Sequence, residues 1–273
     1  MSDLGKRVGV ALWGIPLVVI ATYLGGPYFL ALILAINGVA LREFYQMFTR
    51  LDVQPFQVTG IVLGSLLVVL TYGNSAVLLD FYLLAVVVIL LQQLMPGEGK
   101  ASLNGALTIA GLSYVSLFLA MLLRLRMHFA QWTASEGITH AGGRFLLVVL
   151  ASIWICDTAA YFGGRRFGRH RLAPVVSPKK TVEGALFGLV FALGTCWLGG
   201  RWALPQLPDR DLVATGLVVG LMGQLGDLVE SRFKRDTGVK DTSSILPGHG
   251  GILDRFDSLL FVSPFLYAWF LYF

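Results

Sequence analysis

Apolar runs of bilayer length constrain this chain more than any other feature. They fall at roughly Val8 to Gly26, Tyr28 to Leu41, Val58 to Tyr72, Ala76 to Met95 and Leu103 to Leu123. Four more follow at Phe145 to Gly163, Gly184 to Gly199, Leu212 to Val229 and Leu259 to Phe273. A bilayer core about 30 Å thick is crossed by about 20 helical residues. Inside it every backbone N–H and C=O must be satisfied within the segment, so such runs form helices. The expected fold class is therefore all-α: a polytopic integral membrane protein with about nine transmembrane helices. Composition excludes a soluble globular domain, since 56% of residues are hydrophobic and 14% charged, against about 25% charged in soluble domains. No nucleic-acid partner is expected.

The first run follows Lys6 and Arg7, yet it is long for a signal peptide and ends in "YLGGPYF" without a small-x-small cleavage pattern. A retained signal-anchor helix is expected. With a cytoplasmic N-terminus, Lys6, Arg7, Arg42, Arg50, Lys100 and two basic loops, 164–182 and 231–257, lie on the cytoplasmic side. Arg124, Arg126, Arg144, Arg201 and Arg210 remain outside. That bias is the one the positive-inside rule describes, giving an N-in, C-out topology. Cys156 and Cys196 fall inside apolar runs and read as small packing groups without a disulfide. The chain divides into residues 1–144, spans with few charges, and 145–273, where polar residues concentrate.

Acids within apolar segments are the costliest residues here, because an aspartate at the bilayer centre costs about 2.5–3.5 kcal/mol on insertion scales. Asp157 lies in "SIWICDTAAYF" and Asp227 in "LMGQLGDLVES". On a helix, Asp227, Glu230, Ser231 and Lys234 share a face and form a polar stripe. In the other basic loop, "VVSPKKTVEG" reads as a helix start with Ser177 as N-cap and Pro178 at the first helical position. Lys179 and Lys180 then occupy a first turn that disfavours cations. Two readings explain them: an anion such as phosphate bound by free N–H groups and both ammonium groups, or contact with anionic lipid headgroups.

The stretch "LPGHGGILDRFDS" follows, residues 246–258. Its glycines permit positive φ and close backbone approach. Asp254 and Asp257 lie three apart, and Asp254 is expected to meet Asp227. Paired carboxylates beside phosphate-binding bases suggest Mg2+, which takes one or two carboxylates, waters and substrate phosphates. His249 reads as a ligand, an acid or base, a phosphate donor or a support for the turn. The GxxxxGK[ST] and GxGxxG nucleotide motifs are missing.

"SRFKRDTGVKDTSSILPGHGGILDRFD", Ser231 to Asp257, resembles the signature of the CDP-diacylglycerol synthases (phosphatidate cytidylyltransferases): S-x-hydrophobic-K-R, four residues, K-D, a spacer, P-x-H-G-G and D-R-x-D. "CDTAAYFGGRRFGRHRLAPVVSPKKTVEG" is similar to the family's other polar block. The resemblance implies transfer of CMP from CTP to phosphatidate for phospholipid biosynthesis. The products are CDP-diacylglycerol and pyrophosphate, and Mg2+ is required, with a second metal ion compatible. By that resemblance Asp227 and Asp254 are metal ligands, with Asp157, Glu230 and Asp257 as further acids. Lys234, Arg235, Lys240 and Arg255 bind phosphate or pyrophosphate, supported by Lys179 and Lys180. Ser231, Asp241, His249, Gly250 and Gly251 match the signature without separate roles. Also implied are a multi-pass protein of the cell (inner) membrane, a site facing the cytoplasm and a homodimer. The rival readings are a CTP-dependent, dolichol-kinase-like lipid kinase and a secondary transporter.

Overall fold

The apolar runs are helical in the computed structural model, which describes residues 3–96, 100–136, 139–248 and 250–272. In chain order the helices are α1 (Asp3–Leu24), α2 (Gly26–Phe48), α3 (Gln57–Gly73), α4 (Leu78–Gln92), α5 (Ala101–Gly111), α6 (Phe118–Glu136) and α7 (Ala141–Phe167). Then come α8 (Val182–Ala203), α9 (Asp209–Val218), α10 (Gln224–Asp236) and α11 (Leu253–Tyr272). π-helical turns at Leu112–Leu117 and Val219–Gly223 join α5 to α6 and α9 to α10. Among the described residues, five helical stretches are long and apolar enough to cross a bilayer: Gly26–Leu51, Ala101–Ala130, Ala141–Phe167, Val182–Ala203 and Asp209–Asp236. Val8–Leu24, Gln57–Gly73 and Leu78–Gln92 are shorter apolar helices. The chain is thus a multi-pass helical membrane protein.

Two compact units divide it. The first comprises Met1–Ala21, Gly26–Arg124 and Lys234–Phe256; the second comprises Thr22–Gly25, Leu125–Phe233 and Asp257–Phe273.

In the first unit, polar side chains tie apolar helices together, as expected where helix association gains little from the hydrophobic effect. The fully buried Tyr45 of α2 donates its hydroxyl to the Thr108 carbonyl at 3.0 Å. Its ring fits because Gly60 and Gly111 have no Cβ to collide with it. Ser116 in the π turn donates to Asn37 Oδ1 at 2.7 Å. Asn104 and Thr108 accept the backbone N–H groups of Gln54 and Phe56 at 2.8 Å, which fixes the segment leading into α3.

In the second unit, α7 and α8 approach backbone to backbone. A Cβ on Gly184 would lie 2.7 Å from the Ala160 carbonyl oxygen, and one on Gly188 would lie 3.0 Å from Cys156 Sγ. Small residues at such interfaces are the usual means of close helix contact in membranes. Both cysteines are free and buried, and Cys196 Sγ donates to Ser152 Oγ at 3.0 Å. The buried Arg126 donates to the Thr22 and Tyr23 carbonyls, satisfying acceptors at the end of α1.

The expected helix start at Ser177 is not formed. Ser177–Thr181 is a strand, β2, paired antiparallel with β1 (Arg171–Ala173). The helix begins four residues later, where Thr181 is the N-cap and its Oγ1 accepts the Gly184 N–H at 3.1 Å. Two capping residues compete for one helix, and the nearer one wins. Pro178, which lacks an N–H, is tolerated in an edge strand. Glu183 then pins the hairpin by accepting the backbone N–H groups of Arg169 and His170 at 3.0 and 3.2 Å. Lys179 and Lys180 therefore alternate across a strand and do not sit in a helix first turn.

Candidate functional site

The first unit contributes the segment from Lys234 to Phe256: the end of α10, a loop, and the first turn of α11. Gly248 and Gly250 have φ of 80° and 79°, values that side-chain-bearing residues rarely adopt. They turn the chain back so that the Leu246 N–H reaches the Gly250 carbonyl at 3.0 Å. A polar cavity of about 530 Å3 opens along this loop, with Lys240, Asp241, Ser243, Ser244, Gly250 and Arg255 in its wall. That volume lies within the range of small-ligand sites. Lys240 and Arg255 are exposed, as is Asp241.

Asp254 is the knot of this loop. Its side chain is 5% exposed and pairs with Lys234 Nζ at 2.7 Å through Oδ1. Its Oδ2 accepts the Gly251 N–H at 2.7 Å, the Thr242 N–H at 2.9 Å and Thr242 Oγ1 at 2.8 Å. Burial pushes the Asp254 carboxyl up, but the Lys234 ammonium and the N–H groups of Gly251 and Thr242 outweigh it and hold it below the usual aspartate value. Gly250 gives this carboxylate room, since a Cβ there would lie 2.7 Å from Oδ2.

A second carboxylate, which sequence reasoning missed, holds the same loop. Glu43 of α2 is 1% exposed. It accepts the N–H groups of Ile252 and Leu253 at 3.0 and 2.8 Å and the hydroxyls of Ser243 and Thr242 at 2.5 and 3.3 Å. A Cβ on Gly251 would lie 2.6 Å from Glu43 Oε2, so this glycine also makes way for an acid. The available signal was the charge itself, an acid in the apolar helix "LREFYQMF".

The second unit holds the other acids. Asp227 pairs with Lys180 Nζ at 2.6 Å, and the buried Ser231 donates to its Oδ1 at 3.2 Å. Glu230 and Asp257 are buried and interact with each other, and Asp257 lies within electrostatic reach of Asp227 and Asp157. No three of these groups, nor any other three His, Cys, Asp or Glu side chains among the described residues, converge as a ready-made metal cage. Mg2+ does not require one, because it keeps waters and substrate phosphates in its shell.

The structure thus gathers the expected residues into two sets. Lys234, Lys240, Asp241, Gly250, Gly251, Asp254 and Arg255 belong to the first unit, and Asp157, Lys179, Lys180, Asp227, Glu230, Ser231 and Asp257 to the second. Lys234, expected on a phosphate, is bonded to Asp254, while Arg235 is exposed at the end of α10. Lys179 is exposed on β2. His249 lies outside the described residues.

Over residues 5–273 the chain matches the Cytidylyltransferase family. A phosphatidate cytidylyltransferase of Synechocystis sp. is 35% identical over 285 residues, covering 96% of this chain and 94% of that protein. One of Staphylococcus saprophyticus subsp. saprophyticus is 36% identical over 234 residues, 84% of each chain. One of Staphylococcus aureus (strain COL) is 47% identical over 139 residues, 49% of this chain and 50% of that protein.

Proposed function

Because the chain belongs to the cytidylyltransferase family, we propose that it transfers CMP from CTP to phosphatidate. A phosphatidate phosphate oxygen attacks the α-phosphorus of CTP. The new P–O bond forms CDP-diacylglycerol as the bond to the β-phosphate breaks and pyrophosphate leaves. The attacking phosphate is already ionised, so no protein base is needed. The physical obstacle is the repulsion between two polyanions, and fixed cations in a low-dielectric setting are the general remedy.

The observation that carries this reading is the polar cavity of the first unit, which presents Lys240 and Arg255 in an otherwise apolar chain. There the two cations would take the triphosphate, the Arg255 guanidinium by paired hydrogen bonds. In the second unit, Lys180 and Lys179 would face phosphate oxygens once Lys180 leaves Asp227. The acid set of that unit fits Mg2+: Asp257 interacts with Asp227, Glu230 and Asp157, Lys180 pairs with Asp227, and hard oxygen donors suit a hard cation. Asp227 would hold the ion, with Asp157, Glu230 and Asp257 as the remaining acids, and a second ion is compatible with the family resemblance. Asp254 would act as a ligand only by exchanging Lys234 for the metal. When bound, Mg2+ would neutralise phosphate charge at the reacting centre.

The proposal extends to about nine spans with N-in topology, a cytoplasm-facing site in the inner membrane and a homodimer. This topology lets phosphatidate stay in the bilayer while CTP arrives from the aqueous side. Purified protein in detergent with CTP, phosphatidate and Mg2+ should release pyrophosphate and form a CDP-lipid. Release of CDP with phosphorylated lipid would replace this reading with the lipid kinase.

A further inference from the structure

We infer that Glu43, far from the signature in sequence, is a positioning residue that holds the 241–253 loop in the shape that receives the nucleotide's phosphates. This rests on the reading of the loop cavity as the triphosphate site. A carboxylate removed from water is costly unless charge-assisted hydrogen bonds replace its hydration. Glu43 is 1% exposed, and it holds one short segment at both ends: Thr242 and Ser243 at its start, Ile252 and Leu253 at its end. The two ends are thereby clamped to a single side chain on α2. Between them lie the positive-φ glycines 248 and 250, and the cavity wall includes Ser243, Ser244 and Gly250.

The bonds to Ile252 and Leu253 do a second thing. These N–H groups stand at the start of α11, where the helix has no carbonyls of its own to offer them. Glu43 caps the helix from another part of the chain, so it fixes where α11 begins and hence the base from which Arg255 projects. Asp254 closes the loop from inside through Thr242 and Gly251. Glu43 closes it from outside, and it touches the loop frame without being in the cavity wall.

The test is Glu43→Gln and Glu43→Asp in full-length protein, with CTP and phosphatidate kinetics measured separately and amide hydrogen exchange mapped along the chain. Gln sets an NH2 donor among groups that need an acceptor, while Asp keeps the charge but shortens its reach. Glu43→Gln should raise KM for CTP about tenfold, with kcat and KM for phosphatidate within about twofold. Exchange should speed up within 241–253 alone, and Glu43→Asp should recover part of the loss. An unchanged KM for CTP, equal shifts for both substrates, or failure of both variants to fold would each overturn the positioning role. Lys240→Ala and Arg255→Ala separate the two ideas. If they leave KM for CTP unchanged, the cavity reading fails; if they raise it and Glu43→Gln does not, the Glu43 inference alone fails.

Discussion

The acids of the first unit and those of the second are treated in opposite ways. Asp254 and Glu43 are buried, and each is surrounded by donors: backbone N–H groups, hydroxyls and, for Asp254, the Lys234 ammonium. Their hydrogen bonds are made within the fold and tie one loop together. In the second unit Asp227 has Lys180 and Ser231, while Glu230 and Asp257 are buried and interact with each other. There Asp257 lies within electrostatic reach of two further acids, Asp227 and Asp157. An acid saturated by N–H donors shapes the loop it holds, and in our proposal one facing other acids is suited to a cation.

Substitutions can break that contrast. The largest expected effect is from Asp227→Asn, which should lower kcat on the order of 10²- to 10³-fold while keeping the melting midpoint, because it removes like-charge repulsion and leaves Ser231 a partner. A parallel drop in midpoint would place Asp227 with the structural acids. Gly250→Ala should act the other way: its φ of 79° and the approach of Asp254 Oδ2 to 2.7 Å of the added Cβ predict a loss of about 1–3 kcal/mol. Thermal unfolding in detergent checks this, and an unshifted midpoint would show that the loop tolerates another shape. The smallest effect distinguishes strand from helix in the 171–181 hairpin. Thr181→Ala should cost about 1 kcal/mol as the loss of a cap, whereas Ser177→Ala should be nearly neutral. The reverse order would restore the helix start at Ser177.

Much of the fold was legible because hydrophobic length is a local property: each apolar run of the sequence is helical in the structure. How many of these helices cross a bilayer is less legible, since Gln57–Gly73 and Leu78–Gln92 are apolar but short. The loop from Lys240 to Arg255 was legible from its glycines and charges. Ser177 was misread because Ser-Pro serves both a helix start and an edge strand. The tie between Glu183 and the N–H groups of Arg169 and His170 decides between them, and no pattern in the sequence announces it. Glu43 escaped for a related reason. Two of its partners are backbone N–H groups, which every residue but proline has, so nothing in "GGILDRF" signals that it waits for a distant acid.

The bond from the Leu253 N–H to Glu43 spans 210 residues of chain. During biosynthesis, α2 enters the membrane long before any of the donors that will surround its glutamate have been made. Until the start of α11 is made, Glu43 lacks the N–H groups of Ile252 and Leu253, and burial without such partners would be costly. The loop's anchorage on α2 therefore closes only once residues 242–253 have emerged. A chain cut short before α11 would have its early helices and still lack the loop's shape.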